Sequence, residues 1–221
     1  MSKLLKYKLL NHLFLYISLF LIFPVYHGFS QETVKSKGMG NGEKFKFIAY
    51  PEANVFLSED ELALYDLIME YRKANNKPVI PLSKALTFTA QTHTGDLSDN
   101  YRLNDKCDLH SWSKKGSWTP CCYTKDHAHA ECSWNKPGEL ANYPGSGFEV
   151  VFFDYRPATP KGAFEKWKKN PTNNEILLTS GNWEKVTWNA VGVGMFGNYA
   201  SVWFGKLPDK DGEPVIPSMN R

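Results

Sequence analysis

The sequence predicts an α+β domain, helices first and strands last. Three observations lead there. Helical periodicity runs through residues 58–100. Strict alternation of large and small residues follows Trp183. A long cysteine-bearing segment with few aliphatic residues separates the two. A chain that is 42% hydrophobic and 14% aromatic also has the apolar content for a packed core.

The run Ser58-Glu59-Asp60-Glu61 has the form of a capping box. The serine hydroxyl takes an orphan amide and the glutamate reaches back. Acids in the first turn suit the positive end of the helix dipole. Leu64, Leu67, Ile68 and Tyr71 then recur at helical spacing, and Asn75-Asn76-Lys77-Pro78 stops the helix. An extended link, Val79 to Leu82, leads to a second helix capped by Ser83. Leu86, Ala90, His93 and Leu97 share one face of it, so His93 is expected to point inward as a hydrogen-bonded core residue, not a catalytic one. Gly147 to Phe153 fits a strand or a helix. Ala163 to Lys169 fits a helix with Phe164 and Trp167 one turn apart.

Val191, Val193 and Met195 alternate with Gly192 and Gly194. Phe196-Gly197-Asn198-Tyr199 supplies a turn, and Ala200, Val202 and Phe204 alternate with Ser201, Trp203 and Gly205. This is a β-hairpin pattern. Two glycines on one face predict that another layer packs closely there.

The ends read differently. Lys3, Lys6 and Lys8 precede a nearly unbroken apolar run, Leu13 to Phe23. Pro24 follows, and Gly28 and Ser30 are small residues placed for cleavage. Residues 1–30 are therefore read as a signal peptide, an uncleaved anchor being the competing reading. The expected location is secreted, extracellular or periplasmic, with membrane contact only through the signal peptide before cleavage. Without those three lysines the chain carries 23 bases against 23 acids, so a nucleic-acid partner loses its compositional argument. Residues 31–56 read as a flexible lead-in, 57–208 as the domain, and 209–221 as a polar tail.

Cys107, Cys121, Cys122 and Cys132 all lie in one 26-residue segment. An even count in an exported chain points to disulfides, each worth about 2 to 3 kcal/mol for loops this short. Vicinal Cys121 and Cys122 are too close to bond each other without strain, which leaves two pairings open. One is Cys107–Cys121 with Cys122–Cys132, the other Cys107–Cys122 with Cys121–Cys132. A zinc site competes, because His110, His127 and His129 lie nearby, but the spacing matches no zinc pattern. His127 and His129, alternate in sequence, are weak metal candidates that would need a third ligand from Asp126, Glu131 or His110. No cofactor is expected.

Taken in order, these segments resemble the CAP superfamily of cysteine-rich secretory, antigen-5 and pathogenesis-related-1 proteins, the SCP-like extracellular domain, in its bacterial branch. The residues that carry the resemblance are Tyr71 to Asn75 with Pro78 and Leu82, Ala90-Gln91-Thr92-His93 with Asp96, Ala163 to Pro171 around Trp167, and Asn189 to Gly194 with Val202 to Gly205. The resemblance implies a three-layer α-β-α sandwich, here with a disulfide-pinned loop insertion.

Many members of that family place two histidines and one or two acids in a shared cleft. The resemblance puts the first histidine at His110, in Leu109-His110-Ser111, and the acid at Glu149, in Gly147-Phe148-Glu149-Val150. The second acid and second histidine fall on Asn170 and Asn173. Amides there bind metal far more weakly than imidazoles and cannot move a proton near neutral pH. The primary expectation is thus a non-catalytic binding module for a protein, lipid or glycan. Asn170, Asn173 and Trp112 are candidate contacts, with Trp118, Tyr123 and Trp134 in the same aromatic-rich loop. The alternative is a hydrolase, in particular a peptidase, with His110 as base and Glu149 orienting it in an open cleft.

Overall fold

The computed structural model describes Lys44 and residues 48–50, 53–102 and 106–216. The signal segment and most of the lead-in lie outside these residues. Helix α1 spans Glu59–Ala74 and α2 spans Lys84–Asn100; two short helices follow, α3 at Glu131–Trp134 and α4 at Lys136–Ala141. Strand β1 covers Gly147–Phe153. Helices α5, Pro160–Lys169, and α6, Pro171–Leu178, come next, then a 3-10 turn at Gly181–Trp183. Strands β2, Ala190–Phe196, and β3, Tyr199–Gly205, close the domain.

Local chemistry accounts for the ends of these elements. Ser58 Oγ accepts from Glu61 N at 3.1 Å and Glu61 Oε2 accepts from Ser58 N at 2.8 Å, so the capping box is complete. Ser83 Oγ accepts from Leu86 N at 3.0 Å at the start of α2. The β2–β3 hairpin pairs Phe196 with Tyr199 across a two-residue turn in which Gly197 has φ +57°, the left-handed region that glycine enters freely. Helix α6 has no counterpart in the sequence reading, where Pro171 lies just past the helix of residues 163–169. The same proline opens the next one at its first position, and Asn170 caps it by accepting from Asn173 N at 3.0 Å.

The sheet is antiparallel in the order β1-β3-β2, with β3 in the centre. Its two faces separate two cores. Val150, Phe152, Val191, Val193, Ala200, Val202 and Phe204 face α1, α5 and α6, meeting Leu64, Ile68, Phe164, Trp167 and Leu177. Trp203 and Ala190 face α2 and the cysteine-bearing excursion, meeting Leu86, Phe88, Ala90, Trp112 and Tyr143. Helices on both faces of a small sheet make a three-layer α+β sandwich.

On the first face the buried Arg72 guanidinium ties three chain segments together. Its Nε donates to Pro78 O at 2.9 Å, and its Nη1 donates to Leu177 O at 2.5 Å and Thr179 Oγ1 at 2.9 Å. Burial lowers its pKa to about 10, still charged at neutral pH.

The domain reaches beyond 57–208 at both ends. Ala53 and Val55 are buried, and Phe56 forms a parallel bridge with Val215. Leu57 N donates to Val215 O at 3.0 Å and Val215 N to Val55 O at 2.8 Å. Asp209 Oδ2 accepts from Ser83 Oγ at 2.6 Å and Ala85 N at 2.8 Å, reinforcing the α2 cap. Both segments look polar in sequence, yet each supplies a few apolar residues and backbone partners that the fold needs.

Helix α2 lies directly on the glycine stripe of β2. A Cβ at Gly192 would stand 2.0 Å from the Leu86 carbonyl carbon, and one at Gly194 2.3 Å from that of Ala90. Backbone is the obstacle in both cases, so a side chain can be housed only by lifting α2 off the sheet. Gly194→Val is expected to lower the unfolding free energy by about 3 kcal/mol, the upper range for overpacking, as read from urea denaturation midpoints.

Candidate functional site

The close approach of α2 to the sheet matters because a polar cluster sits between them. Phe148 and Val150 of β1 face the α1 side, so Glu149 faces α2. Its side chain is 2% exposed. His93 Nδ1 donates to Glu149 Oε1 at 2.6 Å and His110 Nδ1 to Oε2 at 2.7 Å. Ser201 Oγ, from the central strand, also donates to Oε1. Both carboxylate oxygens are therefore engaged, by donors from α2, from the excursion and from β3.

His93 is fully buried, and both its nitrogens face acceptors: Nδ1 the carboxylate, Nε2 the Ser111 carbonyl at 3.2 Å. The Trp112 indole stacks on it with centroids 4.3 Å apart and planes 10° from parallel, and Trp203 meets it edge-on at 6.1 Å. His110 is less confined. Its side chain is 29% exposed, its ring lies 5.1 Å from that of Tyr123, and no described residue bonds its Nε2.

The electrostatics follow from this packing. Burial would raise the Glu149 pKa, but the charges and hydrogen bonds of His93 and His110 outweigh it and hold the carboxyl at about 2. For His110, burial pulls downward. The Glu149 hydrogen bond and charge, with a further contribution from Asp108, win and raise it above the ordinary histidine value.

The excursion is pinned around this cluster. The disulfides are Cys107–Cys122 and Cys121–Cys132, the second of the two pairings that spacing leaves open. Ser111 Oγ accepts from Tyr123 N at 2.9 Å, and Trp112 and Cys121 exchange backbone hydrogen bonds at 2.8 and 3.0 Å. The buried Asp96 carboxylate on α2 accepts from Ser113 N at 2.7 Å and Ser113 Oγ at 2.5 Å. Lys136, 1% exposed, donates to Thr119 O and Glu139 at 2.5 Å each and lies 5.8 Å from the Trp112 ring centre.

The structure thus brings His110 and Glu149 together and adds His93 and Ser201 to them. Helical periodicity predicts a hydrogen-bonded core residue at His93, and its partners are Glu149 and the Ser111 carbonyl. Its position one turn beyond Ala90, opposite the glycine stripe, is the signal that could have put it over β1. Asn170 and Asn173 are elsewhere, bonded to each other at the α5–α6 junction. Trp112, expected as a surface contact, is 3% exposed, because it forms the lid of the His93 ring. His127 and His129 lie in an exposed turn where His127 bonds Tyr123 Oη at 2.9 Å. They line a cavity of about 330 Å³ with Glu131 and Trp134. Among the described residues no group of three or more His, Cys, Asp or Glu is disposed to hold a metal ion. The Glu149 cluster does not fit one either: with both Nδ1 atoms on the carboxylate only the Nε2 atoms could ligate, and that of His93 faces the Ser111 carbonyl, which leaves His110 Nε2 alone.

No protein-family model and no curated protein sequence matches this chain. Solved structures similar to it include three bacterial proteins. An extracellular protein containing an SCP domain from Bacillus anthracis shares 14% identity over 67% of this chain and 40% of its own, at a TM-score of 0.48. A cysteine-rich secretory protein from Staphylococcus aureus shares 14% over 67% and 38%, at 0.44. An outer surface protein from Borrelia burgdorferi shares 16% over 67% and 92%, at 0.46. The chain spans about two fifths of the length of the first two. TM-scores below 0.5 assign neither family nor function.

The cluster makes stability pH-dependent in both directions. The folded pKa of Glu149 lies below its ordinary 4.5, so its contribution is complete above pH 4.5 and is lost as pH falls toward about 2. That of His110 lies above 6.5, so its contribution is complete below pH 6.5 and is lost as pH rises through the raised value. The difference in unfolding free energy between wild type and Glu149→Gln should therefore be greatest between pH 4.5 and 6.5. On the acid side it should shrink by about 3 kcal/mol, measured by urea unfolding across a pH series.

Proposed function

We propose that this chain is an exported, disulfide-stabilised module of the CAP type that binds a protein, lipid or glycan ligand and does not turn it over. One observation carries the reading: both oxygens of Glu149 are engaged by three donors, and His93 is fully buried with both nitrogens engaged. A general base needs an acceptor free to take a proton, and a metal needs ligands pointing at a common vacancy. Apart from His110 Nε2, this cluster instead satisfies itself, as a polar core does. At 170 and 173 the Asn170 carboxamide caps α6 by accepting from the Asn173 backbone N–H, and neither side chain adds an acid or base. Two disulfides within the excursion suit an oxidising compartment.

One feature favours a second reading, a hydrolase. His110 is held by Glu149 through Nδ1, which leaves Nε2 as the one ring nitrogen without a described partner on a partly exposed side chain. That is how a carboxylate orients a catalytic imidazole. The raised pKa opposes it, because the same carboxylate keeps the ring protonated over more of the neutral range.

The two readings separate on one assay. The purified disulfide-intact protein is incubated with fluorescein-labelled casein and with p-nitrophenyl acetate from pH 5 to 9, beside His110→Ala. Equal rates for both proteins are expected. A loss of about 100-fold or more in the variant, the least that removal of a general base produces, would instead make the chain a hydrolase.

A further inference from the structure

Five of the seven tryptophans have an indole N–H that the fold itself bonds or encloses. Those of Trp118, Trp167 and Trp188 donate to backbone carbonyls, and those of Trp112 and Trp203 are buried. Trp134 and Trp183 differ. Each is half-buried, and its N–H is neither enclosed nor given an acceptor by a described residue.

These two tryptophans flank one ring. Phe148 is half-buried near the start of β1, an edge strand of the sheet. Trp134, at the end of α3, lies 5.4 Å from it between ring centres, and Trp183, at the end of the 3-10 turn, lies 5.0 Å from it. Trp188 supports the row from the core side. It is 3% exposed and stands 5.7 Å from Phe148 and 5.1 Å from Trp183. Lys206 marks the wet side. The register that pairs Gly147 with Gly205 brings this exposed lysine to the same end of the sheet, where its Nζ lies 4.8 Å from the Phe148 ring centre. It forms no ion pair with a described acid, and an unpaired ammonium keeps its water. Three aromatic rings from three separate segments thus form one row at the surface, a kind of patch that marks a contact site.

The row leads into a cavity. Trp134 also lines the space of about 330 Å³ whose walls carry His129 and Glu131. Both residues are exposed, and neither side chain is hydrogen-bonded to a described residue. The imidazole can donate and accept, the carboxylate accepts, and the two indoles donate. Flat apolar faces therefore stand beside a mixed set of donors and acceptors, with one positive and one negative charge among them. A lipid chain would leave those polar groups unmet. A protein partner needs a wider apolar core than three half-buried rings. A sugar has both properties: a C–H face that lies against an aromatic ring, and hydroxyls around its rim that give and take hydrogen bonds.

We propose that the row Trp134–Phe148–Trp183 and the cavity beside Trp134 form one binding site for an uncharged glycan chain, its sugar rings against the two indoles and its hydroxyls toward His129 and Glu131. The inference rests on the binding reading above and narrows its ligand to one class.

The probes are cellohexaose and chitohexaose, titrated into the full disulfide-intact protein at neutral pH, with binding read by calorimetry and by tryptophan fluorescence. One saturable site per chain is expected for at least one of them. Trp134→Ala and Trp183→Ala should each weaken it about tenfold or more. Glu131→Gln should weaken it severalfold, and Trp118→Phe should leave it unchanged. If an alanine variant does not fold, Glu131→Gln and His129→Ala carry the test, because both positions are exposed and their side chains are not bonded to the fold. Absence of saturable binding by either oligosaccharide, or binding that none of these four substitutions weakens, overturns the glycan site and leaves the binding reading standing. His110-dependent turnover in the casein and ester assay overturns the binding reading, whatever the sugars do.

Discussion

An ionised carboxylate buried under a helix governs this fold. Removing such a charge from water costs several kcal/mol unless every lone pair is met. Glu149 meets that demand only when three separately folded parts arrive together: α2 with His93, the excursion with His110, and the central strand with Ser201. The height of α2 is then not adjustable. Gly192 and Gly194 bring its backbone down to the sheet, and that close approach lets an imidazole on α2 reach a glutamate on β1 at 2.6 Å.

The same cluster solves a problem the disulfides cannot. Both bridges join residues within 107–132, so they stiffen the excursion without attaching it to anything. Attachment comes from polar and aromatic contacts: His110 to Glu149, the Ser111 carbonyl to His93, Ser113 to Asp96, and Trp112 stacked on His93. Each link runs to α2 or to the sheet face beneath it. A covalent scaffold and an electrostatic anchor thus divide the work, the first limiting the loop's own freedom and the second setting its place.

The two faces of the sheet carry different kinds of information. The α1–α5–α6 face is an apolar core with one buried guanidinium bound by carbonyl oxygens and a threonine hydroxyl, which specifies how α1 meets the end of α6. The α2 face buries a polar triad, Glu149 with His93 and His110, whose members lie far apart in sequence. A cluster of that kind adds conformational specificity more reliably than stability, because misplacing any one member leaves a charge or donor unpaired.

Local physics was legible in the sequence. The Ser58–Glu61 capping box, the Ser83 cap, the Gly197 turn and the glycine stripe of β2 depend on residues within a few positions of one another, or on a missing Cβ, and all are present. Likeness to family motifs singled out His110 and Glu149. Helical periodicity also set the inward face of His93, but a face does not name a partner, and Glu149 lies 56 residues away on another element. Ser201 went unseen because its role depends on the β1–β3 register, and α6 because one proline can end a helix or begin one. The cysteine pairing, the burial of Trp112 and the packed ends around Val55 and Val215 were likewise decided only in three dimensions. The sequence by itself determined what each segment forms and which side it buries, because those follow from short-range sterics and hydrogen bonding. Tertiary structure alone decided which buried groups meet, because a buried charge is satisfied by whatever donors the packing brings within about 3 Å, at any distance along the chain.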